Sequence, residues 1–251
     1  VAAITARLEA ICTWPSWVLP AHDRSLGNFA NTNVTVDLVS SDLARTLARI
    51  LGSVGGALPA ETVRRVRDEV NRRVFTPYLE RPQAHWWFFG HNNWNAVCHC
   101  GCVIAALELI EDRTTRARFV EGAERGLPVF LEFGFEPDGY CSEGMSYWNY
   151  GFGHFLDLGV AVRRATGGKV DYFSHPRTVM AMRYPFSYQL AAGIAPKSAV
   201  AKCFASNGAC TVLPPSVART AGIVSSYRSS TVSSSNAGCP TVDIDASAVW
   251  P

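Results

Sequence analysis

The sequence has little charge, and the charge that it has is nearly balanced. Only 18% of its 251 residues are charged, and the formal net charge is +2. An excess this small does not indicate nucleic acid as a partner. Because 48% of the residues are hydrophobic, the composition is that of a globular chain that can bury one substantial core, or one domain and part of another.

Long apolar segments are also missing. The longest, residues 97–110, is interrupted by His99 and Glu108 and is too short to cross a bilayer, so we expect no membrane insertion. The chain does not open with a charged region followed by an apolar one, as a secretory signal would. It begins inside a helical pattern from Ile4 to Ile11, which predicts a processed or truncated start.

The eight cysteines are too few for a disulfide scaffold in a chain of this length. Three of them lie within residues 98–102, beside His99, and these residue types also bind zinc. Structural zinc sites usually space two cysteines by two to four residues and have a second, matching pair. Cys98 and Cys100 would also point to opposite sides of a helix. We therefore expect small buried core residues here, and no metal or other cofactor.

Helical periodicity extends from the start to about residue 200, whereas the alternation typical of strands is weak. One apolar stripe recurs at three- and four-residue steps, at Leu38, Leu43, Leu47, Ile50, Leu51 and Val54. Gly55-Gly56 and Pro59 mark its end and the next start. Further helices are predicted for residues 61–80, 93–111, 114–134, 144–166 and 175–193.

The spacing of these helices predicts a mainly α fold of stacked antiparallel helix pairs, a toroid or solenoid, as one domain over residues 1–200. The remaining residues, 201–251, differ in composition. From Ala205 to Pro251 only four residues are charged, and Ser, Ala, Gly, Thr and Val dominate. Short apolar runs at 210–213 and 221–224 could be strands, so we expect either a short β segment or a disordered tail.

The first segment with chemical potential lies at the start of an apolar helix and reads HWWFFGHNNWNAVCH, residues 85–99. Asparagine is unfavourable inside helices, and one asparagine suffices as an N-cap, a role that we assign to Asn92 or Asn93. Asn95 and His99 are four residues apart, so both side chains can reach the same point. The aromatic rings can either stack on a sugar ring or fill the core.

The second segment, residues 136–154, begins with the turn signature Pro-Asp-Gly. Glu143 follows, and if residues 144 onward are helical, Tyr147, Tyr150 and His154 share one stripe. Each of them alone is more typical of a half-buried amphipathic position. Their convergence beside several glycines favours a site.

These two segments, "NNWNAVCHCG" and "DGYCSEGMSYWNYG", resemble the heparinase II/III-like family, whose members include oligoalginate and heparan-sulfate lyases. Trp17 to Asp23 and "VDLVSSDLARTLA" add to the similarity, which covers residues 1–195. The resemblance implies an incomplete (α/α) toroid followed by a β-sandwich domain, with the active cleft between the two, and a secreted or periplasmic protein. The tail is too short for that β-domain, so the resemblance implies either a fragment or a non-native final stretch.

The chemistry implied by the resemblance is β-elimination on a uronic-acid polysaccharide or oligosaccharide. A residue that neutralises the uronate carboxylate stabilises the enolate, and an ionised tyrosine removes the C5 proton. The catalytic residues implied are Tyr150, with Tyr147 as its competitor, Asn93, Asn95 and Glu143. Alginate-acting members have histidine where this chain has Trp94, so His91, Asn95 or His99 would have to substitute. The residues expected to bind substrate are His22, His91, Trp94, His99, Trp148 and His154.

Two other functions fit the same residues. Helical toroids also support glycoside hydrolases, which need two carboxylates about 5 Å or about 6.5–9.5 Å apart. Candidates are Glu136, Asp138, Glu143 and Asp157. The other alternative is a non-catalytic carbohydrate-binding protein, because the aromatic residues fit such a protein even without a complete acid–base set.

Overall fold

A computed structural model describes residues 1–141 and 143–187. This part of the chain is mainly helical and contains no strand. The predicted tail at 201–251 and the end of the last predicted helix lie outside it. The main helices are α1 (Ala2–Thr13), α2 (Leu38–Val54), α3 (Ala60–Val70), α4 (Thr76–Glu80), α5 (Asn93–Leu109), α6 (Arg113–Phe133), α7 (Met145–Tyr147), α8 (Gly153–Ala165) and α9 (Pro176–Ser187).

Two of the predicted helices contain a π-helical turn. Asn71–Phe75 connects α3 to α4, and Trp148–Phe152 connects α7 to α8. The predicted helices at 61–80 and 144–166 are therefore confirmed as continuous segments whose interiors are wider than an α-helix. None of the helices in the described ranges is long and apolar enough to span a membrane.

Helix α5 lies at the centre of the fold. All but three of its 17 residues are buried, and it packs against α2, α6, α8 and the π-helical turn at 148–152. Cys98, Cys100 and Cys102 are each 0% exposed, which confirms that they belong to the core. A helix that is apolar on every side must be surrounded by other elements, so α5 determines where its neighbours lie.

Glycines allow those neighbours to come unusually close to α5. A Cβ atom on Gly101 would lie 2.4 Å from the Ser41 carbonyl oxygen of α2, and one on Gly126 of α6 would lie 2.1 Å from His99 Nε2. A Cβ on Gly151, in the π-helical turn, would lie 2.8 Å from the Asn93 Cβ. No residue larger than glycine fits at these three positions unless the atoms that face it move.

The buried face of α2 matches the predicted stripe only in part, at Leu47 and Leu51. Its buried residues are small for the most part: Ser40, Ser41, Ala44, Leu47, Ala48 and Leu51. The predicted Leu38, Leu43, Ile50 and Val54 are only partly buried and flank that face. The prediction followed hydrophobicity, whereas the close crossing with α5 at Gly101 selects for small side chains.

The crossing of α2 and α5 gives a stability prediction. Gly101→Ala should lower the free energy of unfolding by about 1–3 kcal/mol, because the added methyl group overlaps backbone atoms of α2. Gly52→Ala is the matched control, since Gly52 is also helical but has no neighbouring atom within 4 Å of the place that an added methyl group would take. That control should stabilise the helix by about 0.5–1 kcal/mol. Urea unfolding measures both, and equal effects would contradict the close crossing.

Candidate functional site

The first predicted segment folds into a short 3₁₀ turn followed by the start of α5. The turn comprises Trp86–Phe89, and the Asn92 side chain accepts a hydrogen bond from the Trp94 backbone N–H at 3.2 Å. Asn92 is therefore the N-cap, one of the two candidates predicted for that role. Capping by Asn92 leaves the neighbouring Asn93 side chain available for another contact.

Asn95 is a core residue and not a substrate ligand in this structure, which corrects the sequence-based assignment. Its side chain is 0% exposed, and its amide donates to the carbonyl oxygens of Phe88, Gly90 and Gly126 at 3.0–3.1 Å. These bonds join the aromatic turn and α6 to the start of α5. The asparagine is needed because buried carbonyl groups require a donor.

His99 is likewise sealed in the interior, at 0% exposure, so the expectation that it contacts substrate is also corrected. Its Nε2–H donates to the Phe88 carbonyl oxygen at 3.1 Å, and its Nδ1 accepts from the Tyr78 hydroxyl at 2.8 Å. Burial lowers the pKa of His99 to about 4. The ring is therefore neutral and serves the packing of the core.

The second predicted segment presents its tyrosines to solvent. Tyr147 is 49% exposed and Tyr150 is 37% exposed. The rings of Tyr150 and His154 lie 4.9 Å apart in an edge-on arrangement. The indole of Trp148 is half-buried and donates to the Ala181 carbonyl oxygen at 2.8 Å, so its polar atom serves the docking of α9 and not an open site.

The two segments meet at Asn93. Its Nδ2 lies 3.3 Å and 3.2 Å from the two carboxylate oxygens of Glu143, to which it donates. Gly151 packs directly against Asn93 and places the adjoining Tyr150 beside the start of α5. Asn93 is 50 residues from Glu143 in sequence, yet it contacts that residue and lies against the backbone next to Tyr150.

The environment of Tyr150 favours the protonated phenol. Burial raises the pKa of Tyr150 to about 12, and the thiol of Cys98 and the carboxylates of Asp42 and Asp37 act in the same direction. Arg45 opposes them, because its positive charge favours the phenolate. At neutral pH the phenol is therefore a proton donor and only a small fraction is ionised.

Arg45 of α2 organises the polar groups around His154. Its guanidinium donates to Asp42 at 2.6 Å and to Asp157 at 3.2 Å, and its Nη2 lies 3.3 Å from His154 Nε2. His154 Nδ1–H donates to the Tyr150 carbonyl oxygen at 2.6 Å, so Nε2 is the acceptor for Arg45. Burial and the Arg45 charge lower the pKa of His154 below its ordinary value. The ring is therefore a neutral support for Tyr150.

A second arrangement lies around His22. Its Nδ1 is 2.7 Å from Asp37 Oδ2, and its ring packs edge-on against the Trp94 ring at 4.6 Å. His22 and Trp94 line a cleft of about 570 Å³. The lining, which includes neither Tyr150 nor Glu143, consists of residues 21–25, Asn28, Asn33, residues 35–37, residues 84–87 and Trp94.

His91 belongs to neither arrangement. Its exposed ring stacks on Phe133 at 4.8 Å, and it is absent from the cleft lining.

The structure adds three residues to the predicted set: Asp37, Arg45 and Trp86. An Asp-x-x-Ser pattern at residues 37–40 could have revealed the first, because it is the signature of a capped helix start, and both reciprocal hydrogen bonds are formed.

Within the part of the chain that the structure describes, no group of three or more histidine, cysteine, aspartate or glutamate side chains could hold a metal ion. No protein-family model matches the chain, and no curated protein is significantly similar to it. The family resemblance of the two motifs therefore stays a prediction. The function has to be argued from the geometry of the site.

The buried histidines predict a pH-dependent stability. Burial lowers the pKa values of His85 and His99 to about 4 each, whereas an unfolded histidine titrates near 6.5. Between these values the unfolded state binds more protons. The free energy of unfolding should therefore fall as the pH is lowered from about 6.5 to about 4, by up to about 1.4 kcal/mol per pH unit for each ring.

Urea unfolding at a series of pH values measures this slope. His99→Gln should reduce the slope by the contribution of one histidine, and His91→Gln, at an exposed ring, is the matched control. His85→Gln repeats the test at the second buried ring. Slopes that are the same in all these variants and in the parent would contradict the neutral, buried state of the two histidines.

Proposed function

We propose that this protein is a polysaccharide lyase that cleaves uronic-acid-containing chains by β-elimination. We also propose that its helices pair into an incomplete (α/α) toroid, with the lyase site at the start of α5. The substrate would be an anionic polysaccharide or oligosaccharide. The motifs at residues 92–101 and 138–151 suggest this function, and the geometry of their side chains supports it.

The contact between the two motifs at Asn93 is the observation that carries the proposal. Asn93 is only 4% exposed, yet its amide is directed at a carboxylate, that of Glu143. An amide that already binds one carboxylate group is chemically suited to bind that of a uronic acid. Tyr150, whose phenol is partly exposed, adjoins Gly151, and Gly151 packs against Asn93.

The elimination uses these groups in one sequence. The C5 proton of the uronate is weakly acidic while the neighbouring carboxylate is charged, so hydrogen bonding by Asn93 stabilises the developing enolate. The Tyr150 phenolate takes the C5 proton, the C–H electrons form the C4–C5 double bond, and the C4–O bond breaks. The phenol then returns its proton to the departing oxygen, which regenerates the phenolate. Glu143 would release Asn93 to the substrate and bind a sugar hydroxyl.

A non-catalytic carbohydrate-binding protein is the second candidate. The observation that favours it is the cleft beside His22, with Trp86 62% exposed at its wall. Such a protein would bind uronate oligosaccharides without turnover. The two candidates are therefore separated by the product and not by affinity.

Tyr150→Phe should lower kcat for release of unsaturated product by at least about 100-fold, because it removes the proton-transferring group. Ultraviolet absorbance of the new double bond on uronate oligosaccharides measures the product, in the full 251-residue chain. Tyr147→Phe, at the other exposed tyrosine, is the matched control and should retain activity. Loss of activity in Tyr147→Phe alone would transfer the role to Tyr147. New reducing ends without a double bond would indicate a hydrolase.

The rate should also rise with pH. Because burial raises the pKa of Tyr150 to about 12, the phenolate fraction increases about tenfold for each pH unit below that value. Log kcat should therefore rise with a slope near one between pH 7 and about 9. A bell-shaped profile centred near neutral pH would contradict a tyrosinate base and point to a histidine or a carboxylate.

A further inference from the structure

We infer that the cleft of about 570 Å³ beside His22 is a saccharide-binding site, in which Trp86 and Trp94 stack on a sugar ring and His22 binds a hydroxyl group. The volume is within the range of small-molecule sites, about 300–1,000 Å³. The site extends the proposed function by a second subsite, and it rests on that function only for the identity of the polymer. Its test is a binding measurement that does not need turnover.

Two tryptophans form the apolar wall of the cleft. Trp86 is 62% exposed, and its ring lies 5.0 Å from that of the half-buried Trp94 at an interplanar angle of 46°. An indole that packing does not bury contributes little to the core, whereas an exposed aromatic face is an apolar surface for a partner. A pyranose ring, with C–H bonds on its faces and hydroxyls on its edge, matches a wall of this kind beside polar groups.

His22 supplies a fixed acceptor next to that wall. Its Nδ1–H donates to Asp37, whose carboxylate also accepts from the backbone N–H groups of Leu19 at 3.1 Å and Ser40 at 2.8 Å. Since the proton is on Nδ1, Nε2 has the free lone pair, and within the described residues it has no hydrogen-bond partner. A sugar hydroxyl can donate to it.

His85, the other histidine of the lining, cannot take this role. Its Nε2 accepts from the Val36 backbone N–H at 3.0 Å, and its Nδ1 donates to the Arg81 carbonyl oxygen at 3.0 Å. Both ring nitrogens are therefore occupied by the protein. Of the two imidazoles in the lining, His22 alone has an unused nitrogen.

Arg24 is the group of the lining that can select an anionic sugar. The carboxylates of Asp23 and Asp37 are buried, at 5% and 2% exposure, and each accepts backbone N–H groups. Arg24 is exposed and forms no ion pair with the described residues. The backbone N–H groups occupy the two carboxylates without cancelling their charge, whereas the guanidinium of Arg24 is left to bind a uronate carboxylate with two N–H groups.

Isothermal titration of the full chain with a uronate tetrasaccharide tests the site, with the neutral cellotetraose as the comparison ligand. Trp86→Ala should raise the dissociation constant for the uronate ligand at least tenfold. Trp14→Ala is the matched control, because Trp14 is 48% exposed but lies outside the cleft. The dissociation constant of this variant for the uronate ligand should equal that of the parent. His22→Ala should weaken both ligands, and Arg24→Ala should remove the preference for the uronate.

The outcomes distinguish this site from the lyase proposal. Unchanged affinity in Trp86→Ala and His22→Ala, or equal weakening in Trp14→Ala, would overturn the cleft as a saccharide site even if double-bond formation is observed. Cleft-dependent binding without any unsaturated product would support the site and contradict the lyase. No binding of either tetrasaccharide by the parent would overturn the site. Thermal unfolding of each variant shows whether the substitution has altered the fold.

Discussion

The burial of α5 on every side is the constraint on which the rest of the structure depends. A central helix without a solvent face can be accommodated only if its neighbours approach closely, and three glycines make that approach possible. Gly101 admits α2, Gly126 admits α6, and Gly151 admits the π-helical turn. The last of these contacts joins the asparagine-rich start of α5 to the tyrosine-rich segment. The candidate lyase site is thus a by-product of core packing at one end of α5.

Polar groups connect this dry core to its surface. Asn95 satisfies three carbonyl oxygens at the point where the aromatic turn, α5 and α6 meet. Asp37 accepts a hydrogen bond from the Ser40 backbone N–H at the start of α2, and its other carboxylate oxygen binds the His22 ring. Apolar side chains at these two positions would leave the backbone groups that Asn95 and Asp37 bind without hydrogen-bond partners. The two regions with chemical potential are therefore built on residues that also hold the fold together.

The helices could be predicted from sequence because the apolar pattern and the Gly and Pro punctuation agree. Helices α2, α5 and α6 begin and end within two residues of the predicted bounds. The face that α2 buries was predicted only in part: Leu47 and Leu51 are buried as expected, but hydrophobicity does not reveal that Ser41 lies against Gly101 of another helix. Neither π-helical turn could be predicted, since the pattern of 3.6 residues per turn does not show a single widened turn.

The site could be predicted only in part, for a related reason. Spacing along a helix shows which side chains share a face, and it correctly grouped Asn95 with His99, but it does not show whether that face is wet or dry. The aromatic run that suggested a sugar platform divides accordingly: Trp87 and Phe88 are buried, whereas Trp86 is not. Arg45 was missed because it lies in a helix pattern typical of an ordinary surface, and Asp37 was missed because a capping signature indicates a helix start and not a site.

The widened turn at Trp148–Phe152 has a consequence for how such a surface could diversify. A π-helical turn contains one residue more than the α-helix that it interrupts, and the wider turn absorbs that residue so that the helix on either side keeps its phase. Deleting one residue there would therefore close the turn to an ordinary α-helix and leave α7 and α8 in register. Tyr150 lies inside the turn, so the side chains that project from this segment would change while the scaffold stayed intact. A single deletion is thus a small step by which this part of the surface can vary without a new fold.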